Sequence, residues 1–167
     1  MLFRSAGNNS CGSRSIAYGN MVHNVLSIDA VTVEGRRWRF GPMAETSGAP
    51  EYLNFLKQLK SIHAREKDEI EARFPKVLRK VAGYNLDHLG PPFANAAHLL
   101  VGSEGTLAWF EQIQLKLSPL PDKRVLGVVH FPKFYTAMDL TQHIVKLGPS
   151  AVELIDRTMI EIGRAHV

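Results

Sequence analysis

The sequence predicts an α+β fold with a mostly antiparallel sheet. Two observations carry that prediction. Alternating, β-branched stretches flank Glu34-Gly35 and recur near residue 112, and between them a long run holds helical spacing between two prolines. Period-two alternation puts one face of a strand in the core, whereas a 3–4 residue rhythm puts one stripe of a helix there.

Residues 6–24 are rich in Gly, Asn and Ser, which supply free backbone rather than core, so they read as an ordered binding loop or a linker. Val25-Leu26-Ser27-Ile28-Asp29-Ala30-Val31-Thr32-Val33 and Arg36-Arg37-Trp38-Arg39-Phe40 then form a predicted β-hairpin. Its Glu34-Gly35 turn is less favoured than Asn-Gly or Asp-Gly. Tyr52, Phe55, Leu56, Leu59, Ile62, Ile70 and Phe74 mark a helix over 51–73, opened by Pro50 and ended by Pro75. A short helix at 76–81, stopped by Gly83, and a loop at 90–97 follow. Strand character returns near Leu107, where residues 112–117 alternate polar and apolar. Beyond Pro119 and Pro121 the pattern gives a strand at 124–131, a helix at 133–147 closed by Gly148-Pro149, a strand at 151–155, and a last helix capped by Asp156. The Pro-bearing link at 118–123 is the expected domain boundary. No internal repeat or low-complexity segment interrupts the chain.

Composition narrows the class. The 167 residues are 45% hydrophobic and 22% charged, enough for one respectable core or parts of two. No apolar run reaches the ~20 residues of a membrane helix, and no signal peptide is visible. The single cysteine, Cys11, excludes an internal disulfide and fits a cytoplasmic protein. Both ends read as foreign. The closing Ile162-Gly163-Arg164-Ala165-His166-Val167 is what ATC GGA AGA GCA CAC GTC encodes, a widely used sequencing-library adapter. The opening Met1-Leu2-Phe3-Arg4-Ser5 is encoded by the reverse complement of the same adapter. Residues 1–5 and 162–167 are therefore expected to be adapter-derived tails. Without Arg4 and Arg164 the formal charge falls from +4 to +2. That weakens any nucleic-acid reading, and no aromatic-interleaved basic stripe supports one.

Two segments carry chemistry. Gly7-Asn8-Asn9-Ser10-Cys11-Gly12 puts glycines where backbone can approach a ligand, with Asn and Ser side chains able to bond phosphate or polar ring atoms. Leu100-Val101-Gly102-Ser103-Glu104-Gly105-Thr106-Leu107 brackets Ser-Glu with glycines just before a strand. Alone, each reads equally well as a turn. The seven histidines show no i,i+4 pair and no close cluster, so no metal site is expected. His130, on an apolar strand, reads as a core histidine, Cys11 as a small buried thiol, and Trp38 and Trp109 as packing residues. The charged face of the 51–73 helix reads as solvated, within an insertion or a docking surface.

The order of these pieces is similar to a known family. Gly7-Asn8-Asn9-Ser10-Cys11-Gly12, Arg14, Tyr18-Gly19, Asn24-Val25-Leu26, Glu34-Gly35, Gly83-Tyr84-Asn85-Leu86 and Gly102-Ser103-Glu104-Gly105-Thr106-Leu107 occur in succession. His130-Phe131-Pro132 and Ala151-Val152-Glu153-Leu154-Ile155-Asp156-Arg157-Thr158-Met159 follow. Over residues 6–161 this resembles the FAD-linked oxidases of the vanillyl-alcohol-oxidase type, above all large bacterial D-lactate and D-2-hydroxyglutarate dehydrogenases that join a flavin region to an iron–sulfur region. Ala108 stands where the family usually has Gly.

The resemblance implies that residues 6–118 are the C-terminal part of a PCMH-type FAD-binding domain. It implies that residues 119–161 begin the FAD-linked oxidase C-terminal (substrate, or cap) domain. It assigns FAD contacts to Gly7, Asn8, Asn9, Ser10, Gly12, Ser15, Tyr18 and Gly19, to the strand at Ile28, and to Glu104 and Gly105. The implied reaction is oxidation of a D-2-hydroxyacid to a 2-oxoacid by hydride transfer to flavin. Electrons would leave through an iron–sulfur cluster outside this sequence. The family's catalytic histidines and carboxylate-binding arginines lie downstream of residue 161, so no catalytic residue is assigned. The implied partners are a small hydroxyacid and an unidentified electron acceptor, with no nucleic acid and no membrane span. Two other readings stand beside this one: a flavin-dependent transferase of the same fold, and a truncated, inactive polypeptide that does not retain FAD.

Overall fold

The computed structural model describes residues 2–43, 49–92 and 94–164; Met1, residue 93 of the expected 90–97 loop, and residues 165–167 of the expected tail lie outside them. The chain divides into two compact units. One comprises Met1–Gly12 and Gly19–Leu117, the other Ser13–Tyr18 and Ser118–Val167.

The first unit is built on a three-stranded antiparallel sheet in the order β2-β1-β3, with β1 Val25–Thr32, β2 Arg37–Phe40 and β3 Ala108–Leu115. The hairpin forms as its alternation predicts, with Ile28 opposite Phe40 and Ala30 opposite Trp38. Its loop differs from a two-residue turn. The Gly35 N–H donates to the Thr32 carbonyl and the Thr32 N–H to the Arg36 carbonyl, both at 2.9 Å. That is a three-residue connection in which Gly35 alone takes a positive φ, 76°. Glu34 therefore needs no left-handed conformation, and Glu-Gly serves as well as Asn-Gly would.

Strand β1 lies in the middle, so its inward residues make the core. Ile28 faces Ile113 as well as Phe40, and Val25, Ile28 and Ala30 are buried. Full burial of a side chain such as Ile28 contributes roughly 1.5–3 kcal/mol relative to exposure. Two short helices, α1 Leu2–Gly7 and α2 Ser15–Tyr18, come before β1 in the chain, and the predicted 51–73 helix forms as two more, α3 Pro50–Arg65 and α4 Lys67–Arg73, broken at Glu66, whose φ, ψ of −97°, 9° leave helical geometry. Pro50 occupies the first turn of α3, and Tyr52, Leu56 and Leu59 form the buried stripe. Tyr52 and Phe55 join Trp38 and Phe40 in one aromatic cluster, with Trp38 5.5 Å from both Tyr52 and Phe55. A short helix, Ala97–Leu100, packs on β1.

The expected helix at 76–81 is not formed: residues 75–82 have no helical structure, and Val77 and Leu78 are exposed. Six residues after a proline, with no apolar face to bury, do not offset the cost of helix nucleation.

In the second unit, Ser15–Tyr18, Phe134–Val145 and Arg157–Arg164 are helical. Asp156 caps the last of these, accepting the Met159 N–H at 2.8 Å, as its position predicts. The strands expected at 124–131 and 151–155 are absent. Val125, Leu126, Val128 and Val129 are exposed instead, as is His130, which is therefore neither on a strand nor in a core. A strand exists only by pairing, and no ladder in the described residues reaches these segments. Cys11 and Trp109 are also exposed, against the expectation of a buried thiol and a packing indole. No helix among the described residues is long and apolar enough to cross a membrane.

Candidate functional site

The two glycine-bearing segments are joined directly. The Gly102 N–H donates to the Ala6 carbonyl at 3.0 Å, and the Glu104 N–H to the Gly7 carbonyl at 2.9 Å. Segments more than ninety residues apart in sequence thus form one continuous backbone surface.

On the first segment the chain leaves its helix, Leu2–Gly7, through Asn9, whose φ of 49° is left-handed. Asn tolerates this region better than most residues. Its side chain turns inward. Asn9 Oδ1 accepts the Val22 N–H at 2.9 Å, and Nδ2 donates to the Lys80 carbonyl at 3.4 Å. Asn9 is fully buried, and its own N–H donates to the Ala6 carbonyl at 3.3 Å, so it fixes the loop from within. Asn8 and Ser10 are half-buried and bonded to each other, Ser10 Oγ donating to Asn8 Oδ1 at 2.6 Å. A Cβ added at Gly7 or Gly12 would meet nothing within 4 Å.

On the second segment Glu104 and Gly105 both have positive φ, 54° and 76°, and the Thr106 N–H closes the turn onto the Ser103 carbonyl at 2.9 Å. Positive φ at both central residues is the type I′ pattern. It presents Glu104 and Gly105 outward, and a Cβ at Gly105 also meets open space. Gly102, at φ 84°, is different: a Cβ there would lie 3.1 Å from the Gly83 carbonyl and 3.3 Å from Asn9 Cβ. Its lack of a side chain lets the two segments meet. Ser103 is buried, and its Oγ has no hydrogen-bond partner among the described residues.

The remaining predicted residues fall elsewhere. Ser15 and Tyr18 lie in the short helix assigned to the second unit. Gly19, at φ 72°, abuts the His23 ring, whose Nδ1 accepts the Asn20 N–H at 2.9 Å. Ile28 is fully buried in the central strand with β2 and β3 on either side, which makes it a core residue.

Sequence reasoning missed two features beneath the loops. Asn20 and Asn85 reinforce Asn9: Asn20 Nδ2 also donates to the Lys80 carbonyl (3.2 Å), and Asn85 Nδ2 donates to the carbonyls of Val101 (2.7 Å) and His98 (3.2 Å). The second is a row of histidine rings. His88 stands 5.7 Å from His23 and 5.3 Å from His98, so three histidines cluster where spacing suggested none. His98 Nε2 lies 3.2 Å from the Val25 carbonyl, and Asp87, paired with Lys80, lies 3.9 Å from His88 Nε2. Burial pushes His88 down to about 4, against the opposing pull of Asp87. Burial lowers His98 as well, with the Val25 carbonyl opposing it. Both rings are neutral at physiological pH. The described residues hold no group of three or more His, Cys, Asp or Glu arranged to take a metal ion.

Residues 120–167 match the family of FAD linked oxidases, C-terminal domain. The two joined loops lie outside that match. Over most of its length the chain is also similar to curated dehydrogenases. It is 26% identical to D-2-hydroxyglutarate dehydrogenase of Pseudomonas putida and 27% identical to that of Escherichia coli, covering 93% of this chain and 16% of each relative. Against D-lactate dehydrogenase of Archaeoglobus fulgidus it is 27% identical, over 93% of this chain and 26% of the relative. The chain thus spans about a sixth to a quarter of the length of these relatives.

Proposed function

We propose that this chain contributes one wall of the flavin site in an FAD-dependent dehydrogenase that oxidises a D-2-hydroxyacid to its 2-oxoacid. The observation that carries the proposal is the direct pairing of the two loops, Gly102 to Ala6 and Glu104 to Gly7. A nucleotide cofactor needs backbone that can be approached closely and polar atoms held in place. Gly7, Gly12 and Gly105 offer open space beside the chain, Asn8 and Ser10 offer fixed polar atoms, and Ser103 Oγ is buried with no hydrogen-bond partner among the described residues. These residues fit such a group. When bound, FAD would supply the two-electron acceptor for the substrate hydride. The residues of this chain hold and orient it: the loop around Gly7, Asn8, Ser10 and Gly12 and the adjoining Glu104–Gly105 turn form that wall together, with Asn9 and Asn85 fixing both from behind. The match of residues 120–167 and the names of the relatives support the dehydrogenase reading.

The test is purification of the chain and titration with FAD, followed by visible absorbance and flavin fluorescence. The expected result is saturable uptake that Gly105→Val weakens several-fold. A folded protein that takes up no FAD overturns the proposal for this polypeptide. It would favour a polypeptide that does not retain FAD.

A further inference from the structure

A cleft of about 430 Å³ lies between the β1–β2 hairpin, α3 and the two ends of the second loop segment, Leu100 and Leu107, and none of Gly7–Gly12 or Gly102–Gly105 lines it. That volume suits a small molecule. Its floor is apolar, with Trp38, Phe40, Phe55 and Leu100 among the lining residues. Trp38 and Phe55 are only half-buried, so each keeps part of its ring surface open to the cleft. The rim is acidic. Glu34 and Glu51 line it against a single base among the described lining residues, Arg36. The Thr32 hydroxyl donates to the Glu34 carboxylate at 2.8 Å, which fixes that charge at the edge. The Arg36 guanidinium sits 5.8 Å from the centre of the Trp38 ring. A cation is therefore already held over this indole, by a residue on a flexible stem at the hairpin.

We propose that the cleft is a binding site for a small organic cation carrying an apolar or aromatic body. The body fills the apolar floor. The cationic head takes the place of Arg36 over Trp38 and lies near Glu34 and Glu51. An aromatic face attracts a cation through its quadrupole, and two carboxylates reinforce that attraction while penalising an anion. Arg36 is the intramolecular competitor: it occupies the ring face and repels a like charge.

The proposal does not depend on the flavin reading, and its test uses no flavin. Trp109→Phe, at an exposed position, leaves Trp38 as the remaining tryptophan and makes fluorescence specific to the cleft. Benzyltrimethylammonium is titrated into this chain beside neutral benzyl alcohol and anionic benzoate. The cation is expected to quench Trp38 saturably and to bind roughly two- to five-fold more tightly than the neutral compound, the range of an exposed cation–π contact. Benzoate is expected to bind most weakly. Glu34→Gln with Glu51→Gln should weaken the cation several-fold, whereas Arg36→Ala should tighten it by a similar factor. Equal binding of all three compounds overturns the proposal, as does an absence of saturation or a weakening by Arg36→Ala. The ligand series on the Trp109→Phe chain decides the matter even if a rim variant fails to fold.

Discussion

Asn85 is the residue on which the second loop rests. It is 1% exposed, and its Nδ2 donates to two carbonyls, those of His98 and Val101. Asn85→Ala leaves both acceptors buried without that donor and should cost about 1–3 kcal/mol. Asn85→Asp should cost more, because a carboxylate cannot donate and would face two carbonyl oxygens in a dry site. Urea denaturation of the two variants checks the order; an Asp variant as stable as the Ala variant would show that Asn85 does not act as a donor. Glycines separate the same way. Gly35 needs only its positive φ, so Gly35→Ala should cost about 1 kcal/mol. Gly102 needs its φ and its missing Cβ, so Gly102→Ala should cost about 2–3 kcal/mol and loosen the Asn9 loop. The Gly-Asn composition made these loops visible in the sequence, but not which amide faces inward. That is decided by Val22 and Lys80, remote residues whose backbone groups hold Asn9.

Among the elements, the hairpin and α3 were legible because their own spacing specifies them: alternation about Glu34-Gly35, and Tyr52, Leu56 and Leu59 on one stripe. The histidine row was not, since residues 23, 88 and 98 meet only when two 3-10 turns, Met21–His23 and Leu86–His88, and the helix Ala97–Leu100 pack beside β1. That row gives the fold an acid dependence. His88 is neutral when folded down to about pH 4, whereas the unfolded chain protonates near 6.5. Stability from this site is therefore complete above pH 6.5 and falls as pH drops toward 4, because the unfolded state takes up a proton that the folded state refuses. The two rings act in the same direction, so the loss across that window belongs to the His88–His98 pair together and is on the order of a few kcal/mol. Urea midpoints measured between pH 7.5 and 4.5 should fall steadily, and His88→Asn should flatten the slope even though it lowers stability at pH 7.5. A midpoint indifferent to pH would rule out a buried neutral histidine pair.

For the molecule as a whole, the sequence pattern and the structure part company after Leu117. Residues 124–131 have the apolar, β-branched character of a strand, yet strand character is a capacity for pairing, and the sheet order β2-β1-β3 supplies no neighbour there. The helix Phe134–Val145 needs no such neighbour for its backbone bonds and forms as expected. Residues 116–133 are consequently a long stretch without regular structure, and Val125 and Leu126 are 96% and 87% exposed. Proteases need extended, accessible backbone, which this stretch provides and the sheet does not. Lys123 and Arg124 lie within it, both exposed. Residues 75–80 also contain exposed basic residues, but the Lys80 carbonyl is held by Asn9 and Asn20, and Lys80 itself is paired with Asp87. Brief trypsin treatment should therefore cut first after Lys123 or Arg124, giving a large product that keeps all three strands, with cleavage after Lys76 or Arg79 only later. Mass spectrometry of the earliest products decides it: early cuts inside the sheet region with 123–124 intact would mean that residues 124–131 have found a pairing partner.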